Sequence, residues 1–271
     1  MRILLHILAF VAALGQPAGA GESTLKTLLT GNDARGWEAV GRIDMAGRAF
    51  CTGALIAPDL VLTAAHCLYD AKTGRRIDTG SIRFLAGWRN GRANATRGIR
   101  RAVVHPEFDY TLGTRTARVG RDLALLQLDQ PIRSTSVVPF QTAGRPRKGE
   151  EVGLVSYAQG RSESPSLQDL CHVLARQGST LVLSCAVDFG SSGAPVFVMG
   201  EDGVARIVSV ISAKAEVRGR QVALGVSLEK PLAELRRIMA RLIEAEPASP
   251  PRVRVLSLQG GSGSGAKFLR P

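Results

Sequence analysis

The chain has 271 residues, of which 45% are hydrophobic and 5% aromatic, and its formal net charge is +12. This length suffices to bury one large hydrophobic core or two small ones. The basic residues are spread along the chain, and no tract combines dense charge with regularly spaced aromatic residues. This distribution argues against nucleic-acid binding as the main function, although weak adsorption to anionic surfaces is expected.

The N-terminus has the pattern of a secretory signal peptide. Arg2 precedes an apolar run, and small residues around Ala20 offer a cleavage site for signal peptidase. The run is short for a membrane span and His6 interrupts it, so we interpret residues 1–20 as a cleaved signal rather than an anchor. No later stretch is long and apolar enough to span a bilayer. We therefore expect an exported protein without a membrane anchor, in the periplasm or outside the cell.

The rest of the chain divides into three parts. Residues 21–35 form a polar lead-in, of which residues 21–27 are a candidate propeptide that is trimmed away. Residues 36–246 are the predicted folded domain. Residues 247–271 are rich in Pro, Gly and Ser and basic, with no acidic residue, so we expect a flexible tail.

Short β-type runs separated by Gly, Pro, Asn and Asp dominate the predicted domain. Such punctuation favours an all-β barrel or sandwich. The runs cover residues 54–56, 60–62, 82–85, 123–128, 152–157, 181–187, 196–198, 207–211 and 222–226. One segment differs, because from Pro231 onward its apolar residues recur at steps of three and four. This spacing predicts one amphipathic helix that docks on the β core, with Pro231 in its first turn and an apolar stripe of Leu232, Leu235, Ile238, Met239, Leu242 and Ile243.

The first candidate catalytic residue is His66. It follows an apolar strand and a segment of small residues that leaves the imidazole accessible, and Cys67 comes next. A lone histidine is more often structural than catalytic. Near neutral pH, however, an imidazole can accept and return a proton, as a general base must.

The second candidate is Asp122, which immediately precedes a nearly continuous apolar strand. A carboxylate buried at the end of that strand needs a partner, and an imidazole N–H is a suitable one. The alternative is an exposed loop Asp that pairs with Arg121, and taken alone this alternative is the stronger interpretation.

The third candidate is Ser192, which Gly190-Ser191 precedes and Gly193 follows. Glycines on both sides allow a tight turn and close approach of a substrate. Such a turn can aim the backbone N–H groups of Gly190 and Ser192 at one point, as in an oxyanion hole. The alternative is an ordinary Gly/Ser loop. The occurrence of all three in the order His, Asp, Ser is stronger evidence for catalysis than any one motif, because the three residue types can act as base, orienting carboxylate and nucleophile.

On these motifs the chain resembles the chymotrypsin-like (trypsin-like) serine peptidases, and within them the bacterial branch that includes the glutamyl endopeptidases. The matching segments are residues 51–56, 62–67, 122–126, 190–195 and 207–209. The resemblance implies two six-stranded antiparallel β-barrels with His66, Asp122 and Ser192 in the cleft between them. It also implies that Ser209 lies next to Asp122 and helps to line the substrate channel.

Two features depart from the animal members of this family. They carry Asp directly before the nucleophile, where this chain has Ser191, and they begin after activation with an Ile/Val-Val-Gly-Gly-like N-terminus, which does not precede Cys51 here. Both halves of the activating ion pair are missing together, so we do not expect that switch. The bacterial branch also lacks this Asp.

Four cysteines in an exported chain favour two disulfides over a metal site, and four allow three pairings. Cys51 and Cys67 are placed like the histidine-loop disulfide of the resembled family, which leaves Cys171 and Cys185. A three-residue hairpin turn centred on Gly178 would place these two directly opposite one another. The alternative is two free, buried cysteines.

The substrate pocket is predicted from the resemblance. In trypsin-like members, an Asp six positions before the nucleophile selects Arg or Lys; this chain has Ala186 there, with Asp188 at the pocket's edge. The glutamyl branch uses a histidine where Val208 precedes Ser209, and Ile211 replaces a channel glycine. Together with Val187, these residues predict a pocket for small or medium apolar side chains.

We therefore expect a secreted, monomeric serine endopeptidase that acts on proteins or peptides without a metal or other cofactor. Two alternatives remain open. A non-catalytic binding protein on the same fold would usually have lost a triad residue, and none is lost. An esterase could use the same triad, although the chain lacks the G-x-S-x-G elbow and the Ser-Asp-His order of α/β-hydrolases.

Overall fold

Strands dominate the computed structural model, which describes residues 23–112 and 116–245. The predicted signal peptide and the predicted tail lie outside these residues. Within the described ranges, no helix is long and apolar enough to cross a membrane.

Six antiparallel strands of the N-terminal half close into a barrel in the order β2-β3-β4-β7-β6-β5. Burial alternates along β5 and most of β2, as the two-residue period of a strand with one exposed face requires. In β3, β4 and β7, consecutive residues are buried. The strands are β2 (Val40–Met45), β3 (Ala49–Ala57), β4 (Leu60–Thr63), β5 (Ile82–Ala86), β6 (Ala95–Val104) and β7 (Ala124–Leu128).

The C-terminal half forms a second ring of six strands, because β9 pairs with both β10 and β12 and so closes the order β9-β10-β11-β14-β13-β12. The strands are β9 (Glu151–Ala158), β10 (Arg161–Gln177), β11 (Thr180–Leu183), β12 (Pro195–Met199), β13 (Ala205–Val217) and β14 (Arg220–Ser227). The expected fold of two six-stranded barrels is thereby confirmed.

Two short strands extend the second barrel. The strand β8 (Gln141–Thr142) pairs in parallel with β13, and β1 (Lys26–Thr27) pairs with β10. The neighbouring Leu28 is 1% exposed and belongs to the hydrophobic core. The described part of the predicted lead-in is therefore packed on the domain, and the folded unit begins before the expected boundary at Gly36.

Helices are few in the described ranges. The helix α1 (Thr116–Val119) is one turn, and 3-10 turns cover Ala65–Leu68, Thr79–Ser81 and Tyr110–Leu112. The helix α2 (Glu229–Glu244) carries Pro231 in its first turn and packs on β6 and β7 of the first barrel. Its buried face includes Leu232, Leu235 and Met239, whereas Leu242 and Ile243 of the expected stripe lie in its last turn and are exposed.

Both expected disulfides are present, Cys51–Cys67 and Cys171–Cys185. The hairpin that carries the second disulfide differs from the expected one. Gln177 pairs with Thr180, so the turn has two residues rather than three, and a bulge at Leu174 then shifts the register so that Val173 faces Leu183. The bulge restores the alignment that the longer turn was expected to give.

Candidate active site

His66 lies in the 3-10 turn that follows β4. Its neighbours Cys67 and Leu68 are buried, and the Cys51–Cys67 disulfide ties the turn to β3. The His66 side chain keeps 21% of its surface exposed. The backbone on either side is thus anchored while the imidazole remains accessible from the cleft.

Asp122 lies between α1 and β7 and its side chain is 1% exposed. Its Oδ1 accepts the backbone N–H of His66 at 2.8 Å, and its Oδ2 lies 2.6 Å from Nδ1 of the same residue. Arg121, the alternative partner, instead pairs with Glu107 at 2.6 Å. Asp122 therefore fixes the position and the ring orientation of His66.

Burial acts to raise the pKa of Asp122, because a desolvated carboxylate favours its neutral form. The charge of His66 and the hydrogen bonds from His66 and Ser212 outweigh this effect, and the pKa of Asp122 is lowered. The group is therefore ionised at neutral pH and acts as an acceptor for the imidazole.

The loop that carries Ser192 requires both of its glycines. Gly190 has φ of +94° and Gly193 has φ of +80°, values that L side chains rarely adopt. A Cβ at Gly190 would collide with the ring of Phe50, and one at Gly193 would collide with the Thr52 carbonyl. The first barrel therefore packs directly against this loop of the second.

The N–H groups of this loop fall into two sets. Those of Ser191, Gly193 and Ala194 donate to backbone carbonyls at 2.8–3.0 Å. Those of Gly190 and Ser192 have no protein acceptor in the described part of the chain. Two unsatisfied donors beside the Ser192 hydroxyl suit a developing oxyanion.

The hydroxyl beside Asp122 belongs to Ser212, which corrects the expectation for Ser209. Ser209 is fully buried and donates to the carbonyl of Val226 at 2.9 Å, whereas Ser212 donates to Oδ2 of Asp122. The cause is a bulge in β13: Ile211 pairs with Gly225 and Ala213 with Leu224, so Ser212 is the extra residue. A bulge re-aims the side chain it carries, and the amino-acid pattern contains no signal that distinguishes the two serines.

The three triad candidates meet in one cleft between the barrels, with a volume of about 450 Å³. The first barrel and its connections contribute one wall and the second barrel the other. The lining residues are His66, Ala71, Arg118, Val119, Asp122, Val187, Asp188, Phe189, Ser192, Ile211, Ser212, Ala213 and Lys214.

Of the residues expected to bind substrate, only Val187 and Ile211 line this cleft. Ala186 is exposed and lies outside the lining, Val208 is 1% exposed in the core of the second barrel, and Ser209 is buried as described. The expectations for Val208 and Ser209 failed because they ignored the bulge at Ser212. The residue before Ser212 is Ile211, so a histidine is absent at the corrected place as well.

Sequence reasoning missed Lys214, which lies two residues after Ser212. Its Nζ is 2.9 Å from Oδ1 of Asp188 and 4.5 Å from the centre of the Phe189 ring. Hydrogen bonding to Lys214 and to the Phe189 N–H lowers the pKa of Asp188. These three residues line the same cleft as the apolar Val187 and Ile211. We call Asp188, Phe189 and Lys214 the charged rim.

One group of potential metal ligands occurs within the described ranges, formed by Cys51, His66 and Cys67. The two sulfur atoms are joined to each other in a disulfide. They therefore offer no thiolate, the form in which cysteine binds metals.

Comparisons with known proteins agree with this geometry. The family model for a trypsin-like peptidase domain matches residues 51–204. A modular serine protease of Drosophila melanogaster is 38% identical over 90 residues, which span 32% of this chain and 14% of that protein. A trypsin of Phaedon cochleariae is 30% identical over 104 residues, which span 38% of this chain and 36% of that protein. The match therefore covers about a third or less of each relative's length.

A solved structure of a Glu endopeptidase in complex with MPD superposes with a TM-score of 0.62 at 18% identity, and the match covers 76% of this chain and 91% of that one. This similarity bears on the fold, and together with the family model it confirms the resemblance drawn from the motifs. The chain belongs to the trypsin-like peptidase domain family.

Proposed function

We propose that this protein is an exported serine endopeptidase, active as a monomer, that cleaves peptide bonds through an acyl-enzyme on Ser192. The observation that carries the proposal is the 2.6 Å contact between His66 Nδ1 and the buried Asp122, at the wall of the cleft that Ser192 also lines. A histidine held in this way can serve as a base for a hydroxyl in the same cleft.

In the proposed reaction, Ser192 Oγ attacks the carbonyl carbon of the scissile peptide while His66 takes its proton. The carbonyl π-bond becomes a lone pair on the oxygen, which the N–H groups of Gly190 and Ser192 stabilise. His66 then returns the proton to the leaving amine as the C–N bond breaks. In the second half of the cycle, His66 takes a proton from water as the water oxygen attacks the ester carbon, and it gives this proton to Ser192 Oγ as the ester C–O bond breaks.

Asp122 keeps the Nδ1 proton of His66 in place and stabilises the imidazolium that forms during each proton transfer. Ser212 supports this role because its hydroxyl donates to the same carboxylate oxygen. Asp122 is ionised at neutral pH, so its carboxylate can accept the Nδ1–H of His66.

We further propose that the cleft accepts small or medium apolar side chains before the scissile bond. Val187, Ile211 and Ala213 supply apolar surface, and the charge of Asp188 is balanced by Lys214. Such a pocket discriminates weakly, because one methylene changes binding by only about 1–3 kcal/mol.

Export is supported by the signal-peptide pattern of residues 1–20 and by the two disulfides, which are typical of oxidising compartments.

The test is labelling of the mature protein with a fluorophosphonate probe, followed by profiling on a peptide library beside an ester panel. Ser192→Ala and His66→Ala should lower turnover by about four to six orders of magnitude, and Asp122→Asn by about ten-thousand-fold through the wrong tautomer. Ser191→Ala is the matched control and should be far milder. A non-catalytic protein would not be labelled, and an esterase would cleave esters but no peptides. Labelling retained in Ser192→Ala and lost in Ser191→Ala would contradict the nucleophile assignment.

A further inference from the structure

Ser191, directly before the nucleophile, is fully buried beneath the loop that carries Ser192. Its Oγ accepts the backbone N–H of Asp188 at 3.3 Å and lies 3.4 Å from both Ser156 Oγ and the Tyr157 carbonyl. Arg161 contributes a fourth contact, with its Nη2 donating to Ser191 Oγ at 3.3 Å. This short side chain is therefore the point where the loop is attached to the second barrel.

Arg161 is the first residue of β10 and reaches this point from the turn of the β9–β10 hairpin. Besides Ser191, its guanidinium donates to the carbonyl of Ser156 and, at 3.0 Å, to the Ser156 hydroxyl. These three acceptors are all uncharged oxygen atoms. Burial lowers the pKa of Arg161, while the nearby Asp188 carboxylate acts in the opposite direction. Partial burial of a charged group among neutral partners is costly unless its hydrogen bonds are made.

The same hairpin turn also fixes the peptide that precedes Gly190. The N–H of Gln159 donates to the Phe189 carbonyl at 2.7 Å. That carbonyl and the N–H of Gly190 belong to one planar trans peptide, in which the two groups point in opposite directions. Holding the carbonyl of Phe189 toward Gln159 therefore turns the Gly190 N–H the other way.

The carbonyl of Gly190 is fixed from the first barrel, since Thr52 Oγ1 donates to it at 2.9 Å. The peptides on both sides of Gly190 are thus oriented by direct contacts, and Ser191 links them to the peptide of Ser192. The N–H of Ser192 belongs to the peptide that Ser191 begins, so movement of Ser191 would turn this N–H directly. Ser191 is also bonded to Asp188 through its N–H and its hydroxyl, so its movement would shift the chain that leads to the Gly190 N–H as well.

We propose that Arg161 is a positioning residue that holds Ser191, and through it keeps the Gly190 and Ser192 N–H groups directed at the developing oxyanion. The proposal rests on the proposed function. Animal members of the family anchor this loop through an Asp before the nucleophile and a freed N-terminal amine, whereas this chain has Ser191 in the place of that Asp. Arg161 supplies a cation to the same loop position from within the folded domain, so the anchor forms on folding and needs no cleavage.

The test compares Arg161→Met and Arg161→Lys with the wild-type protein and with Arg176→Met. Arg176 is an exposed residue at the opposite end of β10 and serves as the matched control.

Loss of an oxyanion donor typically lowers kcat by about 10²–10³-fold, and misdirecting donors that are still present should lower kcat by a smaller factor. We expect kcat of Arg161→Met to fall by about 10–100-fold, with KM within about threefold, in line with the role in the transition state. Arg161→Lys should lie between this variant and the wild type, and Arg176→Met should equal the wild type.

Hydrogen–deuterium exchange of the peptide that covers residues 187–193 provides a readout independent of turnover. Exchange there should be faster in Arg161→Met than in Arg176→Met. A wild-type kcat together with unchanged exchange in Arg161→Met would overturn the proposal. If Arg161→Met does not fold, Arg161→Lys decides the question: a lowered kcat at an unchanged melting temperature supports it, and a wild-type kcat refutes it.

The two proposals can fail separately. A wild-type protein that the fluorophosphonate probe does not label would contradict the proposed function. The exchange comparison would still measure whether Arg161 orders the loop.

Discussion

The hydroxyl of Ser212 and the Nδ1 of His66 share one oxygen, Oδ2 of Asp122. A hydrogen bond to a charged group typically contributes about 1.5–3 kcal/mol, more than one between neutral groups. Ser212→Ala removes a donor from a carboxylate that is nearly inaccessible to water, so the ionised Asp122 that orients His66 is itself stabilised and positioned less well. We expect kcat to fall by about tenfold, which corresponds to about 1.4 kcal/mol.

Ser209→Ala is the matched control for this prediction, because Ser209 is also a buried serine of β13 but donates to the Val226 carbonyl. It should lower the free energy of unfolding by about 1 kcal/mol and leave kcat near the wild-type value. Steady-state kinetics and thermal unfolding of both variants separate the two effects. The reverse result, with kcat lost in Ser209→Ala only, would restore the assignment made from the sequence.

The two serines also show where sequence reasoning ends. That His66, Asp122 and Ser192 line one cleft was predictable, because each adjoins a strongly patterned strand or a glycine-flanked turn. Ser212 rather than Ser209 contacts Asp122 because of a single bulge in β13. No characteristic residue type marks this bulge, and the apolar pattern of residues 207–211 is the same with or without it. The substrate-binding positions were assigned relative to Ser209, whereas the serine beside Asp122 is three residues later. Lys214, two residues after Ser212, was therefore overlooked.

A bulge acted in the opposite direction in the hairpin of Cys171 and Cys185. There the expected turn was too long by one residue, and the bulge at Leu174 compensated for the error. Arg161 and Ser191, which make a long-range contact, are 30 positions apart in the chain. No local pattern in the sequence encodes such a contact, because it depends on how the β9–β10 hairpin turn packs under the loop that carries Ser192.

The ion pair of the charged rim should control which charged side chains the cleft accepts. Lys214 and Asp188 form an ion pair at 2.9 Å, so we expect neither to attract a charged substrate in the wild type. Lys214→Met leaves Asp188 unbalanced and should raise kcat/KM for Arg or Lys before the scissile bond. Asp188→Asn should do the same for Glu. Both side chains are about half exposed, so we expect changes of about fivefold, as for an interaction of about 1 kcal/mol.

The double variant Lys214→Met, Asp188→Asn should return to the apolar preference of the wild type, and the exposed, remote Lys148→Met should not change it. Peptide-library profiles of the four variants and the wild type test this. The prediction is wrong if the wild-type profile is dominated by Arg or Lys and strongly rejects Ala, Val and Leu.

The N-terminal segment should contribute to stability rather than block activity. Ser23 bonds to Leu170 through its backbone N–H and its hydroxyl, and its carbonyl accepts Gln168 Nε2 at 2.9 Å. The other end of that amide, Oε1 of Gln168, accepts the N–H of Ala186 at 2.7 Å, just before the rim. A chain that starts at Gly21 should therefore already be active.

A chain that starts at Leu28 should unfold more easily by a few kcal/mol, at about 1 kcal/mol for each lost hydrogen bond. Its KM should rise, because Gln168 no longer fixes the segment before Val187. Both chains are compared by denaturant unfolding and by kinetics, with the Gly21 form purified under reversible inhibition to prevent self-cleavage. Activity that appears in the Gly21 form only after an external protease has trimmed it would refute this view.

His105 should make the stability of the fold depend on pH. It is 3% exposed, its Nδ1 accepts the N–H of Glu107 at 3.3 Å, and its Nε2 lies 3.4 Å from Glu234 on α2. Burial lowers the pKa of His105 and Arg121 lowers it further, while Glu234 and Glu107 act to raise it. In the unfolded chain the same imidazole has an ordinary pKa of about 6.5.

The sign of the effect follows from these two pKa values. Between the lowered pKa of the folded state and about 6.5, the unfolded state binds more protons, so stability rises with pH. The contribution of His105 is therefore complete above about pH 6.5 and is lost as the pH falls toward the folded-state pKa, with a slope of at most about 1.4 kcal/mol per pH unit.

The glutamine in His105→Gln cannot be protonated, so the free energy of unfolding of this variant should decline less between pH 7.5 and 5 than that of the wild type. His172→Gln, at a half-buried site in the second barrel, controls for the loss of a histidine elsewhere, and Glu234→Gln should steepen the decline because it removes a charge that raises the pKa of His105. Urea unfolding at several pH values measures these slopes; equal slopes for His105→Gln and the wild type would show that His105 does not titrate on unfolding.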